Sequence, residues 1–154
     1  MNEDRRRILQ SGITLVTLCA AASAGLLAPN IVFAAWPKQA FRAQSLDEAI
    51  QELHGAPGEP SNQVVLDVNN VAENGAVVPV KVRTDLANLE SISIYVEDNI
   101  NPLVAQFKMT PETHGYISTR IKMAQTSNVV AVAKAGGKFY KASVEIKVVA
   151  GGCA

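Results

Sequence analysis

Residues that hold metals are scarce in this sequence. Two cysteines and two histidines are too few for a Cys/His zinc site of the usual kind. An excess of charge of either sign is missing as well. Fourteen Lys and Arg are balanced by fourteen Asp and Glu, which excludes a sequence-blind polyanion binder such as a non-specific nucleic-acid protein. No P-loop and no G-x-G-x-x-G turn occurs, so a nucleotide-dependent enzyme is not expected. A hydrophobic fraction of 48% is that of a globular domain and excludes a wholly disordered chain. The length, 154 residues, fits one domain.

The first 34 residues differ in chemistry from the rest and read as an export signal. A basic cluster, Asp4-Arg5-Arg6-Arg7-Ile8-Leu9-Gln10, is followed by apolar and small residues from Gly12 to Leu27, then by Val32-Phe33-Ala34. That last triplet is a small-x-Ala pattern and predicts cleavage after Ala34. The apolar stretch is short for a membrane span of about 20 residues. Arg5, Arg6 and Leu9 match a twin-arginine signal, whereas Asp4, Ile8 and Gln10 depart from it. The expected destination is a bacterial periplasm. Removing Arg5, Arg6, Arg7, Glu3 and Asp4 with the signal leaves the charge nearly balanced.

Residues 35–149 read as one mostly β domain. Ala35 to Arg42 is expected to be an extended lead-in, with Trp36 packing in the core or at the edge of the domain rather than on a partner. Ser45-Leu46-Asp47-Glu48 has the form of a capping box, and Leu46, Ala49, Ile50 and Leu53 follow at helical spacing up to Gly55. One short N-terminal helix is predicted there, with His54 at the surface of its last turn. From Val64 the period changes to that of strands. Seven are predicted, at Val64–Val68, Val77–Arg83, Ser91–Val96, Val104–Met109, Tyr116–Lys122, Asn128–Lys134 and Lys138–Val149. Asn74-Gly75, Asp98-Asn99, Asn101-Pro102 and His114-Gly115 supply turns, and Gly136-Gly137 a two-residue hairpin. Pro79 cannot donate to a ladder and is assigned to an edge or bulge. This pattern predicts an immunoglobulin-like antiparallel β-sandwich.

One feature carries chemistry. The alternation of the last strand stops at Ala150-Gly151-Gly152-Cys153-Ala154. Residues 150–154 read as a flexible C-terminal arm, with Gly151 and Gly152 as its hinge and a reach of about 13 Å. With Cys19 removed in the signal, Cys153 is the lone thiol of an exported domain. That argues for a working nucleophile or an intermolecular bond. A carrier must offer one covalent intermediate to several enzyme pockets, and a thin stalk ending in sulfur suits that task. No neighbour in sequence activates the thiol, and no catalytic triad can be assembled. The alternative is an exported β-sandwich interaction module using Cys153 for an intermolecular disulfide.

These residues also resemble a known family. Val71-Ala72-Glu73-Asn74-Gly75-Ala76-Val77-Val78-Pro79-Val80, Asn101-Pro102 followed by Phe107, Arg120-Ile121-Lys122 and the closing Gly151-Gly152-Cys153 are similar to SoxY, the sulfur-carrier subunit of bacterial Sox thiosulfate oxidation. The resemblance implies a β-sandwich paired as a heterodimer with a SoxZ-like subunit, with Cys153 holding sulfur species covalently. It also implies three partner enzymes: a haem cytochrome that loads thiosulfate, a thiosulfohydrolase that releases sulfate, and a sulfane dehydrogenase that oxidises the remaining sulfur. The carrier itself is implied to have no catalytic residues, no metal and no cofactor beyond its covalent cargo. Glu73-Asn74-Gly75, a turn by itself, gains in this light a partner-contact or arm-docking role. The family's usual ending has two glycines after the cysteine, where this chain has Ala154.

Overall fold

The computed structural model describes residues 36–152. The expected signal peptide, Cys153 and Ala154 lie outside that range. Two helices, α1 (Lys38–Arg42) and α2 (Leu46–His54), precede nine strands. These are β1 (Glu59–Pro60), β2 (Val64–Asp67), β3 (Val71–Asn74), β4 (Val78–Thr84), β5 (Leu89–Val96), β6 (Leu103–Lys108), β7 (Tyr116–Ile121), β8 (Ser127–Ala135) and β9 (Lys138–Ala150). One sheet has the order β1-β9-β8-β5-β6, with β3 added beside β9, and a second has the order β2-β4-β7. The architecture is an immunoglobulin-like sandwich with a helical layer on its larger sheet. No helix among the described residues is long and apolar enough to cross a membrane.

Side-chain alternation explains the layers. On β8, Val129, Ala131 and Ala133 join the core between the two sheets, while Val130 and Val132 join a second core under the helices. On β5 the split is Ile92, Ile94 and Val96 against Tyr95. Because both faces of this sheet are covered, β5 and β8 are buried nearly end to end. By contrast β4 alternates buried and exposed along its whole length, since one face of the smaller sheet meets solvent.

Local signals act as their chemistry requires. Ser45 Oγ accepts from the Glu48 amide at 3.3 Å, and the Glu48 carboxylate reaches back to the Gln44 amide at 3.0 Å, one residue beyond the usual partner in a capping box. Gly55 closes α2 with φ 73°. Gly136 and Gly137 take φ 55° and 74°, the positive pair that a two-residue hairpin needs.

Four expectations are corrected. The lead-in is not wholly extended: Lys38–Arg42 form a helical turn after Pro37, burying Ala40, and Trp36 is exposed but stacks on Phe41 at 4.4 Å. Two strands were absent from the pattern, β1 and β3, and both run parallel to β9 along its outer edge. Pro79 lies in the central strand of its sheet, facing Arg120 of β7; it is tolerated because the β2 ladder ends at Asp67–Lys81, leaving no partner for a donor on that side. His54 is not a surface residue. Its ring packs 4.8 Å from Phe139 and 6.4 Å from Tyr95, Nε2 is shielded without a hydrogen-bond partner, and burial, with Lys134 nearby, pushes its pKa down to about 4.

Candidate functional site

The tail is positioned by the end of β9 and by two segments that close on it. Strand β3 runs alongside β9 and pairs Asn74 with Ala150, so the ladder carries β9 one residue past the expected end at Val149. The Asn74 side chain then accepts from the Ala76 amide at 2.8 Å, an Asx-turn that reverses the chain at Gly75. At this reversal the Gly75 amide donates to the Ala150 carbonyl at 2.7 Å, and its carbonyl accepts from the Met123 amide at 2.8 Å. The Met123 carbonyl in turn accepts from the Gly152 amide at 3.0 Å. Three backbone bonds thus tie Ala150, Gly75, Met123 and Gly152 into one seat for the base of the tail.

Residues 122–124 are held in place by Asn99. Its side chain is buried, donating to the Lys122 carbonyl at 2.9 Å and accepting from the Ala124 amide at 3.1 Å. Thr126 Oγ1 accepts from the Val148 amide at 3.0 Å, fixing the strand just before the seat. Both tethers lie far from the tail in sequence, and sequence reading did not single them out for the site.

The seat gives the glycines a second physical role. A Cβ on Gly75 would collide with the Met123 carbonyl oxygen, and one on Gly151 with the Ala124 carbonyl oxygen. On Gly152 it would lie 2.6 Å from the Ala76 amide nitrogen. None of the three has a positive φ, so glycine is required here by close backbone approach. Gly151 and Gly152 were expected to act as a hinge; through Gly152 the described tail is seated, and any swing must first break these backbone bonds.

The chemistry of the walls is plain. Apart from peptide groups, Asn74, Gly75, Ala76, Met123 and Ala124 form them, with no acid, base or cation among these five. Among the described residues no three His, Cys, Asp or Glu side chains gather as a metal site. Cys153, the expected attachment point, follows the seat directly but lies outside the described residues. His114 is in an exposed loop next to Gly115, which packs on Thr84. That loop is at the Arg83–Tyr116 end of the β4–β7 ladder, whereas the seat adjoins the Val78–Ile121 end. Five residues of strand, about 17 Å, separate them.

Comparison with known proteins gives the family and the fold. The model of the family described as sulfur oxidation protein SoxY matches residues 50–153. The structure of the sulfur carrier protein SoxY from Chlorobium limicola f thiosulfatophilum is similar at 41% identity and TM-score 0.62, covering 68% of this chain and 96% of that one. A superoxide reductase (neelaredoxin) from Ignicoccus hospitalis shares the fold alone, at 15% identity and TM-score 0.51, covering 66% and 86% of the two chains. No curated protein matches. With a family match over more than half its length, the chain belongs to the SoxY family of sulfur oxidation proteins.

Proposed function

We propose that this chain is a periplasmic carrier that holds sulfur intermediates covalently on Cys153 and presents them to partner enzymes, without catalytic residues of its own. The observation that carries the reading is the tail seat. The last described residue is gripped only through backbone, at the end of a long strand, and Asn74, Gly75, Ala76, Met123 and Ala124, which form the seat, bring no acid, base or cation to it. An ordinary thiol is mostly protonated at neutral pH, so the thiolate must form in a partner's pocket. In this reading the partner reaches the sulfur by taking up the tail beyond the seat. Membership of the SoxY family supports the same role.

The Cys153 thiolate then joins the outer sulfur of thiosulfate, and the two electrons released pass to a haem cytochrome. Water cleaves the sulfur–sulfonate bond in a thiosulfohydrolase, releasing sulfate and leaving a persulfide on the cysteine. A sulfane dehydrogenase oxidises that remaining sulfur. A SoxZ-like subunit completes the carrier as a heterodimer, and residues 1–34 direct export before removal.

The test is intact-mass analysis of the protein recovered from thiosulfate-grown cells. Reductant-sensitive adducts of thiosulfate or sulfane sulfur on Cys153 are expected, and Cys153→Ser should stay folded and carry none. A mass showing only a fixed disulfide with another chain would instead identify an interaction module linked through that cysteine. Adducts persisting in Cys153→Ser would displace the assigned site.

A further inference from the structure

Asn74-Gly75 is the only place in the sequence where glycine follows asparagine. That pair is chemically labile. With no side chain on the following residue, its backbone nitrogen can reach the carbonyl carbon of the asparagine side chain. Loss of ammonia closes a succinimide ring, which water opens to aspartate or isoaspartate. The attack needs an electrophilic carbonyl carbon and an amide nitrogen free to shed its proton. The tail seat treats these two groups in opposite ways.

Asn74 is exposed, and its side-chain oxygen accepts from the Ala76 amide at 2.8 Å. A donor aimed at that oxygen stabilises the negative charge that develops on it during attack. Gly75, by contrast, is buried. Its amide donates to the Ala150 carbonyl at 2.7 Å, and its carbonyl is held by the Met123 amide at 2.8 Å. The electrophile is primed and the nucleophile is masked. The mask belongs to the tail: Ala150 is the last residue of β9, and Gly152 just beyond it is bonded to the Met123 carbonyl at 3.0 Å.

We infer that Asn74-Gly75 is a self-modification site gated by the tail, protected while Ala150 is seated and converted to isoaspartate or aspartate when the tail is drawn out. The Gly75 nitrogen bonds to Asn74 Cγ, the Cγ–Nδ2 bond breaks, and the Gly75 amide proton leaves with the ammonia. One water then adds across either carbon–nitrogen bond of the ring. No electrons change hands. This goes beyond the carrier reading and stands whether or not sulfur is loaded on the terminal thiol.

The two products differ in what they do to the seat. In aspartate the side-chain oxygen still accepts from the Ala76 amide. In isoaspartate the main chain runs through the former side chain and gains one carbon. The seat has no slack for it, since even a Cβ on Gly75 would collide with the Met123 carbonyl oxygen. Isoaspartate therefore keeps the tail out, and the lost ammonia makes the change one-way. Chains whose tails are drawn out most often are marked first.

The test ages the full chain in mildly alkaline buffer at constant temperature. Peptide mapping by mass spectrometry counts converted Asn74, with chromatography separating isoaspartate from aspartate. Hydrogen exchange in the same buffer measures how often the Gly75 amide opens. Both reactions require Gly75 to leave Ala150, so their rates should rise together. Gly152→Ala, which crowds the Ala76 nitrogen, should speed both about tenfold. Asn99→Ala, which frees the Lys122 carbonyl and the Ala124 amide, opens the seat by a second route and should also speed both. Gly136→Ala weakens the turn at the opposite end of β9 and should speed neither. In the unaltered chain, conversion should be slowed relative to guanidinium chloride by the same factor as Gly75 exchange, so the test does not depend on any variant. After ageing, the isoaspartate form should have lost protection at the Gly152 amide, and the aspartate form should retain it.

Asn74 converting as fast in the folded chain as in denaturant overturns the inference, because nothing would then be masked. Conversion that stays constant while Gly75 exchange rises in a loosened variant overturns it too. Equal acceleration by Gly136→Ala would assign the reaction to whole-chain unfolding and remove the tail as its gate. Isoaspartate protein with an undisturbed Gly152 amide overturns the lasting release of the tail.

Discussion

Single residues in this chain act through space or through charge, and the glycines separate the two kinds of spatial demand. Gly152 has no room for a side chain. Gly136 has open space but a φ of 55°. Gly152→Ala is therefore expected to loosen the seat locally, lowering hydrogen-exchange protection of its own amide about tenfold while leaving global unfolding unchanged. Gly136→Ala should instead cost about 1 kcal/mol of global stability, through the left-handed backbone of the β8–β9 turn. Exchange measured beside thermal melts of both variants tells the cases apart. His54 supplies the charge effect. Its folded pKa, about 4, lies below the ordinary value near 6.5, so the unfolded chain binds a proton that the folded one refuses. Stability is full above about pH 6.5, falls as pH drops toward 4, and levels off below. Allowing for the partial exposure of the ring, the loss is on the order of 1–2 kcal/mol. His54→Phe keeps the packing against Phe139 and should flatten that part of the melting temperature–pH curve. An equally steep curve in the variant would place the titration elsewhere.

At the scale of elements, Asn99 joins the β5–β6 turn to the segment after β7. Asn99→Ala would leave the Lys122 carbonyl and the Ala124 amide without these partners, at a cost of about 2–3 kcal/mol. The melting temperature should fall, and exchange at the Met123 amide should rise beyond the global change, because the seat loses its anchor. This anchor shows how unevenly the structure was legible in the sequence. Strand β4 announced itself by alternation, α2 by its cap and apolar spacing, and the β8–β9 hairpin by paired glycines, because each signal is local. Strands β1 and β3 were hidden: they are short and parallel, and they exist only because β9 offers them an edge. Helix α1 is a single turn, too short to show a period. The glycine pair before Cys153 was visible, but its need for close approach was not, since the atoms it would strike belong to Ala76 and Ala124. Asn99 looked like any turn asparagine, for its partners are more than twenty residues away.

For the whole molecule, the question is which part of the chain is the folding unit. Both cores are built from described residues. The first lies between the sheets, and the second is completed when Ala40, Ala43, Ala49 and Ile50 cover Tyr95, Leu103, Val130 and Val132. The helical layer that closes the larger sheet begins at Lys38, and compactness divides the chain at Ala35–Trp36. The uncovered face of the smaller sheet is mixed, carrying Lys81, Arg83, Asp67 and Arg120 beside exposed Val65 and Tyr116. Both buried cores are thus built from residues after Ala35. A chain starting at Trp36 should fold with the backbone spectrum of the full protein and a melting temperature within about 3 °C of it, since a loss of 1 kcal/mol would move a domain of this size by about 5 °C. Removal of residues 36–44 as well should strip α1 from Tyr95 and Leu103 and lower the melting temperature far more. If the two truncations melted alike, the helical layer would not be part of the folding unit. If the first alone unfolded the protein, residues 1–35 would contribute to a core that the described residues otherwise close by themselves.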